Sequence, residues 1–150
     1  MQMDGSFTVK ADRTEAYQFL IDPQRFAPFL PDIEGFEIHD ENNFTMKAKV
    51  GVSHIKGTMV MKMTLVEKEA PSRAKLSGKG SGLASVVDMT TSFTLEDADG
   101  AMTKVSWTGE AVVGGKLAAI GGGLMEKLAK KNLVKFVDGI QKGIEALEPR

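Results

Sequence analysis

Residues Gly114–Leu147, GGKLAAIGGGLMEKLAKKNLVKFVDGIQKGIEAL, hold the one long helical pattern of this 150-residue chain. Leu117, Ile120, Leu124, Leu128, Leu133, Phe136, Val137, Ile140, Ile144 and Leu147 recur at three- and four-residue steps. That spacing is the apolar stripe of an amphipathic helix, with Lys127, Lys130, Lys131, Lys135 and Lys142 mostly on the other side. Roughly thirty residues at about 1.5 Å each predict a rod of about 45 Å, long enough to lie across a small domain. Gly121, Gly122 and Gly123 fall in its first third. Each is about 1 kcal/mol less favourable than Ala inside a helix, so the three mark a bend, a close backbone approach or a mobile end.

Upstream of this stretch the period is two. Phe44, Met46, Ala48 and Val50 share one face of a strand. Ile55, Gly57, Met59, Met61, Met63 and Leu65 share one face of a longer strand. Ala74, Leu76, Gly78 and Gly80 follow, then Val87, Met89, Thr91, Phe93 and Leu95, then Val105, Trp107, Gly109, Ala111 and Val113. Asp99-Gly100 signals a tight hairpin between the last two. Strands with one wet and one dry face, joined by short turns, predict an antiparallel meander from Ile33 to Val113. Before it, Gly5–Lys10 reads as a strand. Asp12 caps a short helix with an apolar face of Ala16, Phe19 and Leu20, and Asp22-Pro23 starts a second.

The order is strand, two short helices, six strands, long helix. A curved seven-stranded antiparallel sheet wrapped around the long helix covers both apolar stripes, an α+β architecture over residues 1–150 as a single domain. The dry face contains Ala48, Gly57, Gly78, Gly80, Gly109 and Ala111. These small residues either let the sheet bend or leave room under the helix. In the second case the space is lined by Met59, Met61, Met63, Leu76, Met89, Thr91, Phe93 and Trp107 from the sheet and Leu117, Ile120 and Leu124 from the helix. An apolar cavity of that sort is a default ligand site. Nine methionines in the chain give it an adaptable wall. Phe29, Leu30 and the glycines at 121 to 123 are placed to gate it.

The charges exclude other classes. Nineteen Lys and Arg oppose 20 Asp and Glu, interspersed, for a net charge of −1, so there is no basic patch for nucleic acid. There is no cysteine and therefore no disulfide or thiolate chemistry. No apolar run reaches the roughly 18 residues of a membrane-spanning helix. The polar N-terminus, MQMDGSFTVKADRT, is unlike a signal peptide, and a cytoplasmic protein is expected. The cationic helix face reads as a solvated surface, with contact to anionic lipid, at about 1 kcal/mol per Lys near a membrane surface, as the alternative.

An enzyme would need an acid, a base or a nucleophile on the inward phases. His39 and His54 lie on an outward phase or at a strand end, with no ligand-spaced partner. Asp32, Glu34, Asp97 and Asp99 are loop carboxylates. Ser85 and Thr91 place hydroxyls inside, enough to orient a carbonyl but not to attack one. No catalytic residue, metal site or covalent cofactor is expected.

The whole chain resembles the carbon monoxide dehydrogenase G-subunit (CoxG) family of the START/Bet v 1-like (SRPBCC) superfamily. The resemblance is carried by Gly5-Ser-Phe-Thr-Val, Asp22-Pro23, Leu30-Pro31-Asp32-Ile33-Glu34, Lys47-Ala-Lys-Val-Gly51, Ile55-Lys-Gly57, Ala70-Pro71-Ser72-Arg73-Ala74, Gly78-Lys-Gly80, Thr103-Lys104-Val105-Ser106-Trp107 and Gly115–Gly121 in that order. The resemblance implies a helix-grip fold with a deep apolar cavity under the long helix. It implies a role beside molybdenum hydroxylases of the carbon monoxide dehydrogenase type, either recruiting the enzyme to the membrane or bringing it a quinone. The expected ligand is a quinone or another prenyl- or acyl-chained lipid. A triple glycine where the family pattern has one or two leaves the helix start less defined. The chain ends at Arg150 without an extended tail, which favours a soluble carrier over an anchor. Two alternatives on the same fold are a polyketide cyclase or hydratase, and an assembly factor without ligand.

Overall fold

The computed structural model describes residues 1–30, 32–52, 54–120 and 123–146. Seven strands form one antiparallel sheet in the order β1-β7-β6-β5-β4-β3-β2: β1 Gln2–Val9, β2 Ile33–Ile38, β3 Asn43–Val52, β4 Ile55–Glu69, β5 Arg73–Gly82, β6 Ser85–Ala98 and β7 Met102–Gly115. Two short helices, α1 Arg13–Ile21 and α2 Pro23–Phe26, connect β1 to β2 across the sheet, and a single 3-10 turn, Ala27–Phe29, follows α2. The long helix α3, Leu124–Glu145, closes the chain over the concave face. The α+β, helix-grip order expected from the sequence is the one observed.

The caps are those that the sequence signals. Asp12 Oδ1 accepts the Glu15 N–H at 2.8 Å, and Asp22 Oδ1 accepts the Gln24 N–H at 3.1 Å with Pro23 in the first turn. Each carboxylate satisfies a donor that the helix itself leaves unpaired.

The long helix is shorter than its pattern predicts. Gly114 and Gly115 still belong to β7, paired with Val86 and Ser85. Lys116–Ala119 then forms a 3-10 turn, and α3 begins only at Leu124. Its 22 residues make a rod of about 33 Å rather than 45 Å. Two glycines explain the break. Gly115 has φ +84°, where a β-carbon would run into the Ala84 carbonyl oxygen, so the chain turns out of the sheet there. Gly123, at φ +72°, is the N-cap of α3. The stripe at Leu117 and Ile120 continues the helical period by coincidence. Gly121, Gly122 and Leu147 lie outside the described residues.

Two further boundaries differ from the sequence reading. Strand β1 starts at Gln2, three residues before the expected Gly5, and Met3 pairs with Gly109. The β6–β7 hairpin closes at Ala98 and Met102, a three-residue loop rather than a two-residue one, with Gly100 and Ala101 both at positive φ.

The interior is divided. The main core gathers Val9, Ala16, Tyr17, Phe19, Phe44, Leu65, Phe93, Leu95, Val105, Ile140 and Ile144. A second, smaller cluster holds Val52, Ile55, Met59 and Leu117, with Leu83, Val87, Val113, Ile120, Met125 and Leu128 packed on it. Helix α3 is seated on both. At its C-terminal half Gly139 and Gly143 let it approach Phe29 and Phe19 closely, Gln141 Nε2 donates to the Thr8 carbonyl at 3.0 Å, and Glu145 accepts the Lys10 N–H at 3.2 Å. At its N-terminal end Met125 and Leu128 reach the second cluster.

Candidate functional site

The middle of α3 spans the gap between the two clusters, and the gap is a cavity of about 480 Å³. Register builds its floor. One cross-strand row runs Ala111–Met89–Gly78–Met63–Phe44, and the next runs Val113–Val87–Gly80–Met61–Met46. A third runs Met3–Gly109–Thr91–Leu76. The roof is Met125, Ala129, Asn132, Leu133, Phe136, Val137 and Ile140 of α3. Leu20, Phe26 and Leu30 close one side. Met1 and Glu110 are the exposed members of the lining, so the cavity reaches the surface beside them.

The small residues of the dry face have two different jobs. Gly78 and Gly80 are occupied by neighbours: a β-carbon at Gly78 would meet Met63 Sδ, and one at Gly80 would meet Met61 Sδ. Gly109 is open, its nearest neighbour being Thr91 Oγ1 at 3.5 Å from such a carbon. The positions directly above the β5 glycines are thus taken by methionine tails, while Gly109 and Ala111 face the open cavity.

The surface of the cavity is almost wholly carbon and sulfur. Its side chains with hydrogen-bonding atoms, among the described residues, are Thr91 in the floor, Asn132 in the roof, the indole of Trp107 and, at the rim, Glu110. Glu110 accepts from Gln2 Nε2 at 2.8 Å. A hydroxyl and a carboxamide offer a ligand both donors and acceptors, the indole a donor only, and the aliphatic and thioether wall no strong hydrogen bond. A pocket of this size and polarity takes a small apolar molecule with one or two hydrogen-bonding atoms.

The profile of the carbon monoxide dehydrogenase G-subunit (CoxG) family matches residues 5–145. The chain belongs to this family. Solved structures place the fold. A conserved protein from Geobacillus kaustophilus is 26% identical, with a TM-score of 0.86 over 96% of this chain and 95% of that one. A START superfamily protein from Mycobacterium smegmatis is 12% identical, with a TM-score of 0.71 over 98% and 99%. The Zhui aromatase/cyclase from Streptomyces sp. R1128 is 18% identical, with a TM-score of 0.68 over 97% and 93%. The fold is thus START/Bet v 1-like. No match was found among curated protein sequences.

Within this CoxG family member, the residues expected in the lining do not all meet there. Met63, Leu76, Met89, Thr91, Phe93 and Trp107 meet around the cavity, with Leu30 beside them. Met59, Leu117 and Ile120 lie in the second cluster, where they hold the seat for the N-terminal end of α3. Met61 packs toward the main core and over Gly80, and Leu124 is exposed. Of the expected gate, Phe29 is wedged against Gly139 and Gly143, its ring centroid 5.8 Å from that of Phe19. It fastens the helix. Gly123 is the α3 cap, and Gly121 and Gly122 lie outside the described residues. Ser85, an inward hydroxyl in the sequence, is committed to the backbone: it accepts the Leu117 N–H at 2.8 Å and donates to the Leu83 carbonyl at 3.0 Å.

Asn132 is the lining residue that sequence reasoning passes over. It stands four residues after Leu128 and four before Phe136, on the apolar stripe itself. A polar residue on a buried stripe is a signal for a site, and that signal is present. Met1 and Met3 are missed because they precede the expected strand start at Gly5.

Proposed function

We propose that this protein holds an apolar ligand, a quinone or another prenyl- or acyl-chained molecule, in the cavity beneath α3, and does no chemistry on it. The observation that carries the reading is the cavity of about 480 Å³ whose interior polar side chains, among the described residues and apart from the Trp107 indole, are Thr91 and Asn132. Those two suit the oxygen of a quinone or ester head, each hydrogen bond contributing about 0.5–1.5 kcal/mol. The methionine and aliphatic wall suits the chain, at about 0.8 kcal/mol for each methylene buried. Family membership supports an accessory role to a molybdenum hydroxylase of the carbon monoxide dehydrogenase type, as membrane recruiter or as quinone carrier. Of these, delivery of a quinone is the reading we favour, because the cavity suits one.

A cyclase-like enzyme on this fold would need an acid or base facing the ligand. The one carboxylate in the described lining, Glu110, is at the rim and engaged by Gln2, which places that reading second.

Native mass spectrometry of protein from its own host, followed by organic extraction, tests the proposal. A stoichiometric quinone or lipid in the extract is the expected result. A clean protein mass, with no uptake of added menaquinone or ubiquinone, would overturn it in favour of an assembly factor without ligand.

A further inference from the structure

Two glycines two residues apart on the dry face of a central strand weaken that strand, and such positions mark a close approach by another group. On β5 the approaching groups are thioethers. Gly78 lies between Met89 and Met63 in register, and Gly80 lies between Val87 and Met61. Met63 Sδ and Met61 Sδ fill the space that β-carbons would take. Met89 Cγ is 3.0 Å and Val87 Cβ 3.5 Å from the same positions. The two methionine tails thus lie flat in notches in the sheet instead of standing up into the interior. Met63, Phe44 and Met46 line the cavity on this side, and Met61, paired with Met46 and Gly80, packs against the main core outside that lining.

We infer that the Gly78 and Gly80 notches, with the Met63 and Met61 tails laid in them, set the depth of the cavity and so the length of the prenyl or acyl chain that it accepts. The inference rests on the ligand-holding reading above and deepens it. Methionine has three rotatable bonds and a polarizable sulfur, so its tail moves where a branched side chain would not. The head of the ligand lies at Thr91 and Asn132, and its chain runs across β6 and β5 toward β4. A methyl placed in either notch lifts the tail above it into the path of that chain. At Gly80 the obstructing atoms are the far end of the flexible Met61 side chain, so the sheet tolerates the methyl and the cavity loses the volume; at Gly78 the Met63 tail must move and Met89 Cγ, at 3.0 Å, must also give by a few tenths of an ångström.

The test uses Trp107, the only tryptophan and a lining residue, whose fluorescence a bound quinone quenches. Wild type, Gly78→Ala, Gly80→Ala and Met63→Ala are titrated with ubiquinone homologues of increasing isoprenoid length. The quantity read is the ratio of long-chain to short-chain affinity. It falls by about tenfold in either glycine variant, the equivalent of about 1.4 kcal/mol, and rises in Met63→Ala. A ratio unchanged in all three, with every homologue still binding, overturns the inference and leaves the carrier reading standing. Quenching by no homologue in wild type overturns both. Should a glycine variant fail to fold by circular dichroism, wild-type protein labelled with 13C at the methionine methyls decides. The Met61 and Met63 signals shift with long-chain homologues and not with the shortest. Trp107 quenching without such a shift sinks the idea.

Discussion

Gly5 and Trp107 face each other across β1 and β7, and the indole lies over the glycine: a β-carbon on Gly5 would sit 2.8 Å from Trp107 Cζ2 and 3.2 Å from Nε1. The absence of a side chain at Gly5 is what lets the ring lie against the sheet and form part of the cavity wall. Gly5→Val should push the ring into the cavity. Overpacking of this kind costs about 1–3 kcal/mol. Urea unfolding followed by tryptophan emission should show that loss together with a shifted native emission maximum. An unchanged maximum would mean that the ring does not rest on Gly5.

Gly143 presents a contest between two effects of similar size. Alanine is about 1 kcal/mol better than glycine inside a helix. Here, however, a β-carbon would fall 2.6 Å from Phe19 Cζ and 2.7 Å from Phe29 Cε2. Both rings are packed, Phe19 fully, and neither is a flexible end. The clash wins, and Gly143→Ala should lose about 1–2 kcal/mol, lowering Tm by about 2–4 °C for each kcal/mol. A thermal melt with Tm raised would show that the helix propensity wins and that the clasp between α3 and the two rings is loose.

Ser85 bridges the β5–β6 turn to the chain that leads into α3. Ser85→Ala leaves the Leu117 N–H buried with no acceptor, which costs about 1–3 kcal/mol. Amide hydrogen exchange should quicken first at Leu117. Global loosening without a local effect there would remove Ser85 from its role as the anchor of the turn.

Tyr17 supplies a pH dependence with a definite sign. Its ring is buried and its hydroxyl donates to the Arg73 carbonyl at 3.2 Å. Burial, the largest influence, pushes the phenol above its ordinary value of 10.0. The unfolded chain therefore releases this proton before the folded one does. The stability it provides is intact below the ordinary tyrosine value and declines as pH rises through it and on through the raised folded value. Tyr17→Phe removes that component. The stability difference between wild type and Tyr17→Phe, from denaturant melts at stepped alkaline pH, should shrink as pH rises. A constant difference would assign the alkaline loss to other groups.

How much of this was legible depends on the range of the interaction concerned. The strand phases could be read because each inward residue is set by a two-residue period, and the caps at Asp12 and Asp22 because a carboxylate and the N–H it accepts lie two or three residues apart. The helix start could not. Leu117 and Ile120 sit at helical spacing from Leu124, yet they are held in the second cluster by Val52, Ile55 and Met59, some sixty residues earlier. Phe29 reads as a gate for the same reason: an exposed-looking aromatic near a proline gives no hint that Gly139 and Gly143 lie above it.

From sequence alone come the helix-grip order, the family, the division of each strand into wet and dry faces, and the richness in methionine, all of which rest on local periodicity or on residue order. The tertiary structure alone decided where the empty space is. Register places Met63 over Gly78 and Met61 over Gly80, filling two of the gaps that small residues leave, while Gly109 and Ala111 face the cavity beneath α3. A cavity is a difference between volumes contributed by strands far apart in the chain, and no local pattern encodes that difference.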